Sequence, residues 1–317
     1  MRARGRETLG VSSHEAPGVA HTASTIEFDA VTKRYPALAG GRRDAPPAVE
    51  SFSARLPAGT VTVLLGSSGC GKTTLLRMVN RMVDPTEGRI LLDGEDVRDR
   101  DPVALRRSIG YVMQNAGLLP HRRVIDNITL VPRLDGVDRR RARDRALELI
   151  DMLGLDRDLA QRYPHQLSGG QAQRVGVARA LAADPGVLLM DEPFGAVDPL
   201  VRRELQRELI RIQADLAKTI VFVTHDVDEA LLLGDEVILL SEGARIAQRG
   251  TGAELVADPA DDFVARFLGL DDSERALRLH EIAGRHVVQD AVGRTLGVLD
   301  AAEDALAAAH PHEAVGT

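Results

Sequence analysis

Gly66-Ser67-Ser68-Gly69-Cys70-Gly71-Lys72-Thr73-Thr74 has the spacing G-x-x-x-x-G-K-[ST] of a phosphate-binding loop. Glycines at 66, 69 and 71 let successive backbone N–H groups turn inward as an anion nest, with Ser67, Ser68, Cys70 and Thr74 completing the cradle. Lys72 is placed to reach the terminal phosphates and the Thr73 hydroxyl to hold Mg²⁺. The apolar run Val187–Met190 ends in two carboxylates, Asp191 and Glu192, which strand alternation sends opposite ways. Asp191 is then positioned for the metal, and Glu192 for an attacking water as general base. Such parts perform phosphoryl chemistry, and alone they would suit a GTPase, a small-molecule kinase, a helicase or a transport ATPase.

Elements of the right kind surround these residues. Thr60–Leu65 is short, apolar and β-branched and runs into the glycines, the pattern of a buried parallel strand emptying into a loop, with a helix expected over Lys72–Met82. Upstream, Thr25–Thr32 alternates apolar and polar residues as a half-buried strand does. Ala37–Pro47 has the Gly and Pro of a loop, and Ser53–Leu56 predicts a further strand. From Pro102 to about His165 the periodicity is helical, most clearly over Val137–Leu153. There Ala146, Leu147, Ile150 and Leu153 share one face, and Arg139, Arg140, Arg141, Arg143 and Arg145 form a solvated remainder. Strands are predicted at Gly186–Met190, Thr219–Val223 and Glu236–Leu240. They alternate with helices near Gly170–Ala183, Val201–Ala217 and Val227–Leu233, which means an α/β fold with a mostly parallel sheet.

Composition excludes several alternatives. The 317 residues carry 40 Lys plus Arg against 47 Asp plus Glu, a net charge of −7, so no extended basic face exists for nucleic acid. A single cysteine rules out an intramolecular disulfide framework and fits a reducing compartment. No apolar run approaches the ~20 residues of a spanning helix. Residues 1–24 lack the apolar core of a secretory signal and read as a disordered extension, and a cytoplasmic location is expected.

Leu167-Ser168-Gly169-Gly170-Gln171 lies about twenty residues before the carboxylate pair. With Tyr35, the 66–74 loop, Gln114, Asp191-Glu192, Asp198 and His225 in order, the stretch from about Ile26 to Leu268 resembles the ATP-binding subunit of an ABC transporter. The resemblance implies an ABC-type P-loop NTPase domain over 25–268, with a mixed sheet core, a helical subdomain over about 115–170 and a short C-terminal extension over 269–317. It implies ATP and Mg²⁺ as ligands and ATP hydrolysis as the reaction. Tyr35 would stack on adenine, Gln114 would sense metal and water, and His225 would bind the γ-phosphate and orient the water. Ser168, Gly169, Gly170 and Gln171 would close on the ATP of a second, head-to-tail copy, with Asp198 in the loop that crosses the dimer; Val197 stands where Leu is usual. Partners implied are that second copy, transmembrane permease subunits and, indirectly, a solute-binding protein, with the chain peripheral on the inner membrane face.

Ile109–Gln114, Gly117–His121, Val124–Ile128, Asp191–Pro199 and Thr224–Ala230 are similar to importers of quaternary-amine osmoprotectants such as glycine betaine, choline and proline betaine, and also to relatives that import polyamines, sulfate or methionine; an importer of another small solute such as an amino acid or polyamine, or an exporter, is the alternative. Quaternary ammonium groups are held by aromatic cages. With six Phe, three Tyr and no Trp, the chain itself is not expected to bind the solute. Beyond Gly269 the chain is acidic and then predicted helical. His286–Leu299, a strand, turn and strand followed by Ala301–Ala309, resembles part of a cystathionine-β-synthase-type module.

Overall fold

The computed structural model describes residues 22–36, 46–195, 197–270, 277–290 and 293–299. Residues 1–21 of the expected extension, most of the Gly/Pro loop and the Ala301–Ala309 segment lie outside them. Ser24, read from the sequence as part of that extension, accepts through its carbonyl from Thr219 Oγ1 at 2.8 Å. This contact pins the entry to the first strand.

β1 (Ile26–Lys33) follows the expected alternation until a bulge at Ala30, whose φ of +48° breaks the register. β2 (Val49–Leu56) begins four residues before the expected strand. β3 (Val61–Gly66) is buried throughout and α1 (Lys72–Val79) follows it. β4 (Glu87–Leu92) and β5 (Glu95–Asp96) were not legible in the sequence. β4 pairs antiparallel with β1, Ile26 opposite Leu92 and Phe28 opposite Ile90, giving a four-stranded sheet ordered β2-β1-β4-β5.

α2 (Pro102–Ser108) leads into β6 (Ile109–Val112), a strand where helix was expected. Four residues are too few to display a period, and β6 exists because it pairs in parallel with β7 (Val187–Asp191). Gly110 allows the fit, since a Cβ there would lie 2.6 Å from the Ala180 carbonyl oxygen. The helical part follows as α3 (Val124–Ile128), α4 (Leu130–Leu134), α5 (Arg139–Met152) and α6 (Gly169–Leu181). Asp138 caps α5, accepting from the Arg140 and Arg141 N–H groups, and offsets the first-turn arginines that oppose the helix dipole.

α7 (Pro199–Leu216), β8 (Thr219–Thr224), α8 (Val227–Leu233), β9 (Glu236–Ser241), β10 (Arg245–Gly250), α9 (Gly252–Ala257) and α10 (Asp262–Phe267) complete the main body. The large sheet has the order β10-β9-β3-β8-β7-β6, parallel except at the β10–β9 edge. Its strands divide by period two. Leu64, Leu189, Val221 and Ile238 face a core shared with Ile26, Phe28, Ile90 and α1. Val63, Leu65, Met190, Phe222 and Leu239 face one shared with the helical part through Ile125, Ile128, Leu149 and Val175.

The predicted helix after the acidic stretch is corrected to a strand. β11 (Arg278–Ile282), β12 (Arg285–Gln289) and β13 (Thr295–Val298) form an antiparallel sheet. Ala283 and Gly284, both at positive φ, make the tight turn that lets Ile282 pair with Arg285, so hairpin geometry overrides local propensity.

Candidate active site

Parallel pairing in the order β3-β8-β7-β6 places four sequence motifs in a row along one sheet edge, the carboxyl ends of the strands, where α/β folds bind ligands. The 66–74 loop follows β3, His225 follows β8, Asp191 and Glu192 end β7, and Gln114 follows β6.

Gly69 (φ +83°) and Gly71 (φ +115°) give the loop its left-handed turns, which only glycine adopts without strain. Lys72 is 4% exposed, and its Nζ donates to the Gly66 and Ser67 carbonyls at 2.7 and 2.8 Å. Its charge is thus held by the loop's own backbone over the concavity where a phosphate would sit. Ser67 and Ser68 are exposed at the rim, while Cys70 is buried with its Sγ 3.8 Å from Lys72 Nζ. Tyr35 is half exposed, its hydroxyl 3.5 Å from Thr74 Oγ1 and Lys33 Nζ 5.3 Å from its ring centroid, an accessible aromatic platform beside the loop.

Thr73 Oγ1 donates to Asp191 Oδ1 at 2.8 Å, and the Tyr111 hydroxyl donates to Asp191 Oδ2 at 3.2 Å. Burial and the neighbouring Asp191 charge push the Tyr111 phenol up to about 12, so it stays a donor at neutral pH. Among the described residues no cluster of three or more His, Cys, Asp or Glu could hold a metal. The Thr73–Asp191 oxygen pair nevertheless fits Mg²⁺, which takes one or two protein oxygens and completes its shell with phosphates and water.

Glu192 has a φ of +45°, costly for a side-chain-bearing residue by roughly 1–3 kcal/mol. Its N–H donates to the Val223 carbonyl at 3.0 Å and its own carbonyl accepts from Gly195 at 3.1 Å, which holds the turn. The result is that His225 Nδ1 lies 3.2 Å from Glu192 Oε2. Gln114 is exposed on the same edge: a Cβ at Gly195 would lie 3.3 Å from Gln114 Nε2 and 3.8 Å from Glu192 Oε2. Asp191 thus meets Thr73 while Glu192, turned out of strand alternation by its positive φ, lies beside His225.

The remaining predicted residues lie elsewhere. Ser168 caps α6, accepting from the Gln171 N–H at 3.2 Å while Gln171 Oε1 accepts from the Ser168 N–H at 3.0 Å. The Ser168 hydroxyl keeps its proton free to donate, and Gly169 is exposed beside it. Gly170 faces Val201 with no room for a Cβ. Asp198 caps α7 by accepting from the Leu200 N–H at 2.9 Å. No hydrogen bond joins Ser168, Gly169, Gly170, Gln171 or Asp198 to the 66–74 loop within the chain, among the described residues.

The sequence reading missed Tyr111, and also Thr224, Arg202, Gln206 and Glu229 behind His225. Tyr111 sits in the segment taken as helical, so its strand position had no signal. Thr224 and Glu229 bond across one local turn, but Arg202 and Gln206 reach them only by tertiary packing.

A glycine loop between strand and helix, with a threonine–aspartate pair and a glutamate at the end of β7, two places along the sheet, defines a P-loop nucleotide-binding cassette. The chain belongs to the ABC transporter family: the profile described as ABC transporter matches residues 49–195. It is 52% identical over 233 residues to the osmoprotectant import ATP-binding protein OsmV of Salmonella typhimurium, covering 73% of this chain and 61% of that one. It is 47% identical to the glycine betaine uptake system ATP-binding protein YehX of Escherichia coli, with 81% of each chain covered. Against the first of these it spans about three fifths of the relative's length. Among solved structures, the dimeric bacterial ABC transporter cassette MJ0796 superposes with a TM-score of 0.64 at 31% identity, over 72% of this chain and 98% of that one.

The loop geometry carries a first expectation. A Cβ at Gly71 would lie 2.5 Å from the Ala48 carbonyl oxygen, on top of the positive φ. Gly71→Ala should therefore weaken nucleotide binding by about 10–100-fold, from roughly 1–3 kcal/mol of loop strain at 1.4 kcal/mol per tenfold. Titration with a fluorescent nucleotide checks it. Gly94→Ala, at a φ of +82° but with nothing within 4 Å and remote from the loop, should bind nucleotide normally.

Proposed function

We propose that this chain is the ATP-hydrolysing subunit of an importer for quaternary-amine osmoprotectants. The observation that carries the reading is the Glu192–His225 pair at 3.2 Å beside the Thr73–Asp191 pair, on an edge that also holds the phosphate loop. Relatives named for osmoprotectant import, choline transport and glycine betaine uptake, at 46–52% identity, support the solute class.

In this reading Lys72 and the loop N–H groups take the phosphates, and Tyr35 takes the adenine face. Thr73 and Asp191, with Gln114 on the same edge, would hold Mg²⁺, which when bound would supply neutralisation of phosphate charge. Glu192 accepts a proton from the attacking water at Oε1 or Oε2, and His225, whose Nδ1 stands 3.2 Å from Oε2, fixes its orientation. Catalysis is thus mainly positioning and charge neutralisation.

Ser168 and Gly169, at an exposed helix N-terminus with no hydrogen bond to the 66–74 loop among the described residues, are suited to the nucleotide of a second, head-to-tail copy. Gly170 and Gln171 hold that helix end in shape, and Asp198 begins the helix beside it. Such a C₂ arrangement uses one surface twice. The dimeric cassette at 31% identity supports it. No helix among the described residues is long and apolar enough to cross a membrane. Permease subunits would therefore supply the path, a separate binding protein the solute specificity, and this chain would sit peripherally on the cytoplasmic face. The 25–268 cassette does this work, with 269–317 an accessory segment.

Uptake of labelled glycine betaine and choline, in cells with the native permease and either this chain or its Glu192→Gln form, tests the proposal. Glu192-dependent uptake of either solute that rises with osmolarity is the expected result. Glu192-dependent ATPase activity without uptake of either would overturn the solute class and direct the search to other amines, amino acids or export.

A further inference from the structure

A buried polar network behind His225 joins the Thr224–Ala230 stretch to α7 and has no part in the roles assigned above. Glu229, on α8, is 5% exposed, and its carboxylate accepts from Thr224 Oγ1 at 2.7 Å and from Gln206 Nε2 at 3.4 Å. Thr224 Oγ1 in turn accepts from the Asp226 N–H at 3.0 Å, and Asp226 Oδ1 accepts from the Glu229 N–H at 3.1 Å. These bonds enclose His225 on both sides, so the backbone that carries the imidazole is tied to one carboxylate. An apolar core residue would cost less at this depth, since burying a carboxylate is expensive without several partners. Burial pushes the Glu229 carboxyl above its ordinary range, with the Thr224 bond pulling it back.

The network reaches a second element. Arg202 and Gln206 lie on α7, Arg202 one turn after the Asp198 cap and bonded to it through the backbone at 2.8 Å. Arg202 Nη1 donates to Asp226 Oδ2 at 3.4 Å, while its buried Nε has no hydrogen-bond partner and stands 3.9 Å from Glu229 Oε1. An approach of α7 toward α8 by about 1 Å would complete that bond, because hydrogen bonds of this kind form at about 2.7–3.2 Å.

We infer that Glu229 is a positioning residue which sets His225 against Glu192, and that Arg202 makes this setting respond to the position of α7. The inference rests on the catalytic reading of Glu192 and His225 given above. Glu229 touches no reacting atom; it acts through Thr224 and Asp226 on the turn between them.

The test is a double-mutant cycle on the full chain, read by single-turnover ATP hydrolysis and by the KM for ATP. Glu229→Ala should slow hydrolysis by about 10–100-fold, the scale of a misplaced group about 1 Å from its productive position, with KM little changed. Glu229→Gln, which can still accept from Thr224, should recover most of the rate. In a His225→Ala background Glu229→Ala should cost no more than about twofold, the scatter expected when nothing is left to position. Arg202→Ala should slow hydrolysis in the same direction, and combined with Glu229→Ala should add nothing. If Glu229→Ala fails to fold, Thr224→Val, which removes the same link, carries the same expectations. An equal loss with and without His225 would show a merely structural role and overturn the inference, as would a normal rate for Glu229→Ala. Near-normal turnover in both His225→Ala and Glu192→Gln would instead overturn the catalytic reading beneath it.

Discussion

Replacing Glu192 by Gln is expected to slow ATP turnover by roughly 10²–10⁴-fold, the usual contribution of a general base, while ATP binding persists. Only the carboxylate's ability to take a proton is lost. The backbone turn at φ +45° is held by the Val223 carbonyl and the Gly195 N–H, neither of which involves the side chain. The phosphate loop is equally untouched, because Lys72, Thr73 and Asp191 form their own set of contacts. Steady-state hydrolysis and nucleotide binding measured on the same preparation separate the two effects. A variant that binds ATP and hydrolyses it at near-normal rate would remove Glu192 from the base position. Within the proposed dimer the slow variant should also remain associated in ATP for longer than the parent, visible by size-exclusion chromatography.

The second large effect is on stability. Phe222 is fully buried in β8, its ring 5.6 Å from that of Phe194. Phe222→Ala should cost about 3–5 kcal/mol, the transfer loss plus the cavity left behind. For a domain of this size roughly 2–4 °C of melting temperature is lost per kcal/mol, so a fall of about 6–20 °C is expected by calorimetry or circular dichroism. Phe222 lies three residues before His225, with Met190 opposite it on β7. Part of the damage should therefore reach the active edge, and activity should fall at temperatures where most of the chain is still folded. A melting temperature within 2 °C of the parent, on the scale of under about 1 kcal/mol, would mean that the site collapses around the smaller residue.

Much of this arrangement was legible along the chain, and the parts that were not share a cause. β3, β7, β8 and β9 are apolar and bounded by turn residues, so each announces itself within its own five or six residues. α5, α6 and α7 carry a helical period over thirteen residues or more. β6 has four residues and β5 two, which no periodicity can identify, and β4 becomes a strand through its pairing with β1, some sixty residues earlier. The stretch at Arg278–Ile282 was taken for helix because the Ala283-Gly284 turn that folds it back lacks the Asn-Gly or Asp-Gly signature.

The candidate site residues divide the same way. Lys72, Thr73, Asp191 and Glu192 were legible from type and spacing, whereas His225 and the Ser168–Gln171 run were legible only through the resemblance to ABC transporter ATP-binding subunits. A loop that cradles phosphate or a carboxylate that ends a strand is a local device, written in consecutive residues. Tyr111 donating to Asp191, the left-handed turn at Glu192 and the Glu229–Thr224–Arg202 network behind His225 could not be read that way. Strand order decides them. With β8 seated between β3 and β7, segments more than thirty residues apart meet at one edge, and which polar groups are buried together there follows from long-range pairing rather than from any local pattern.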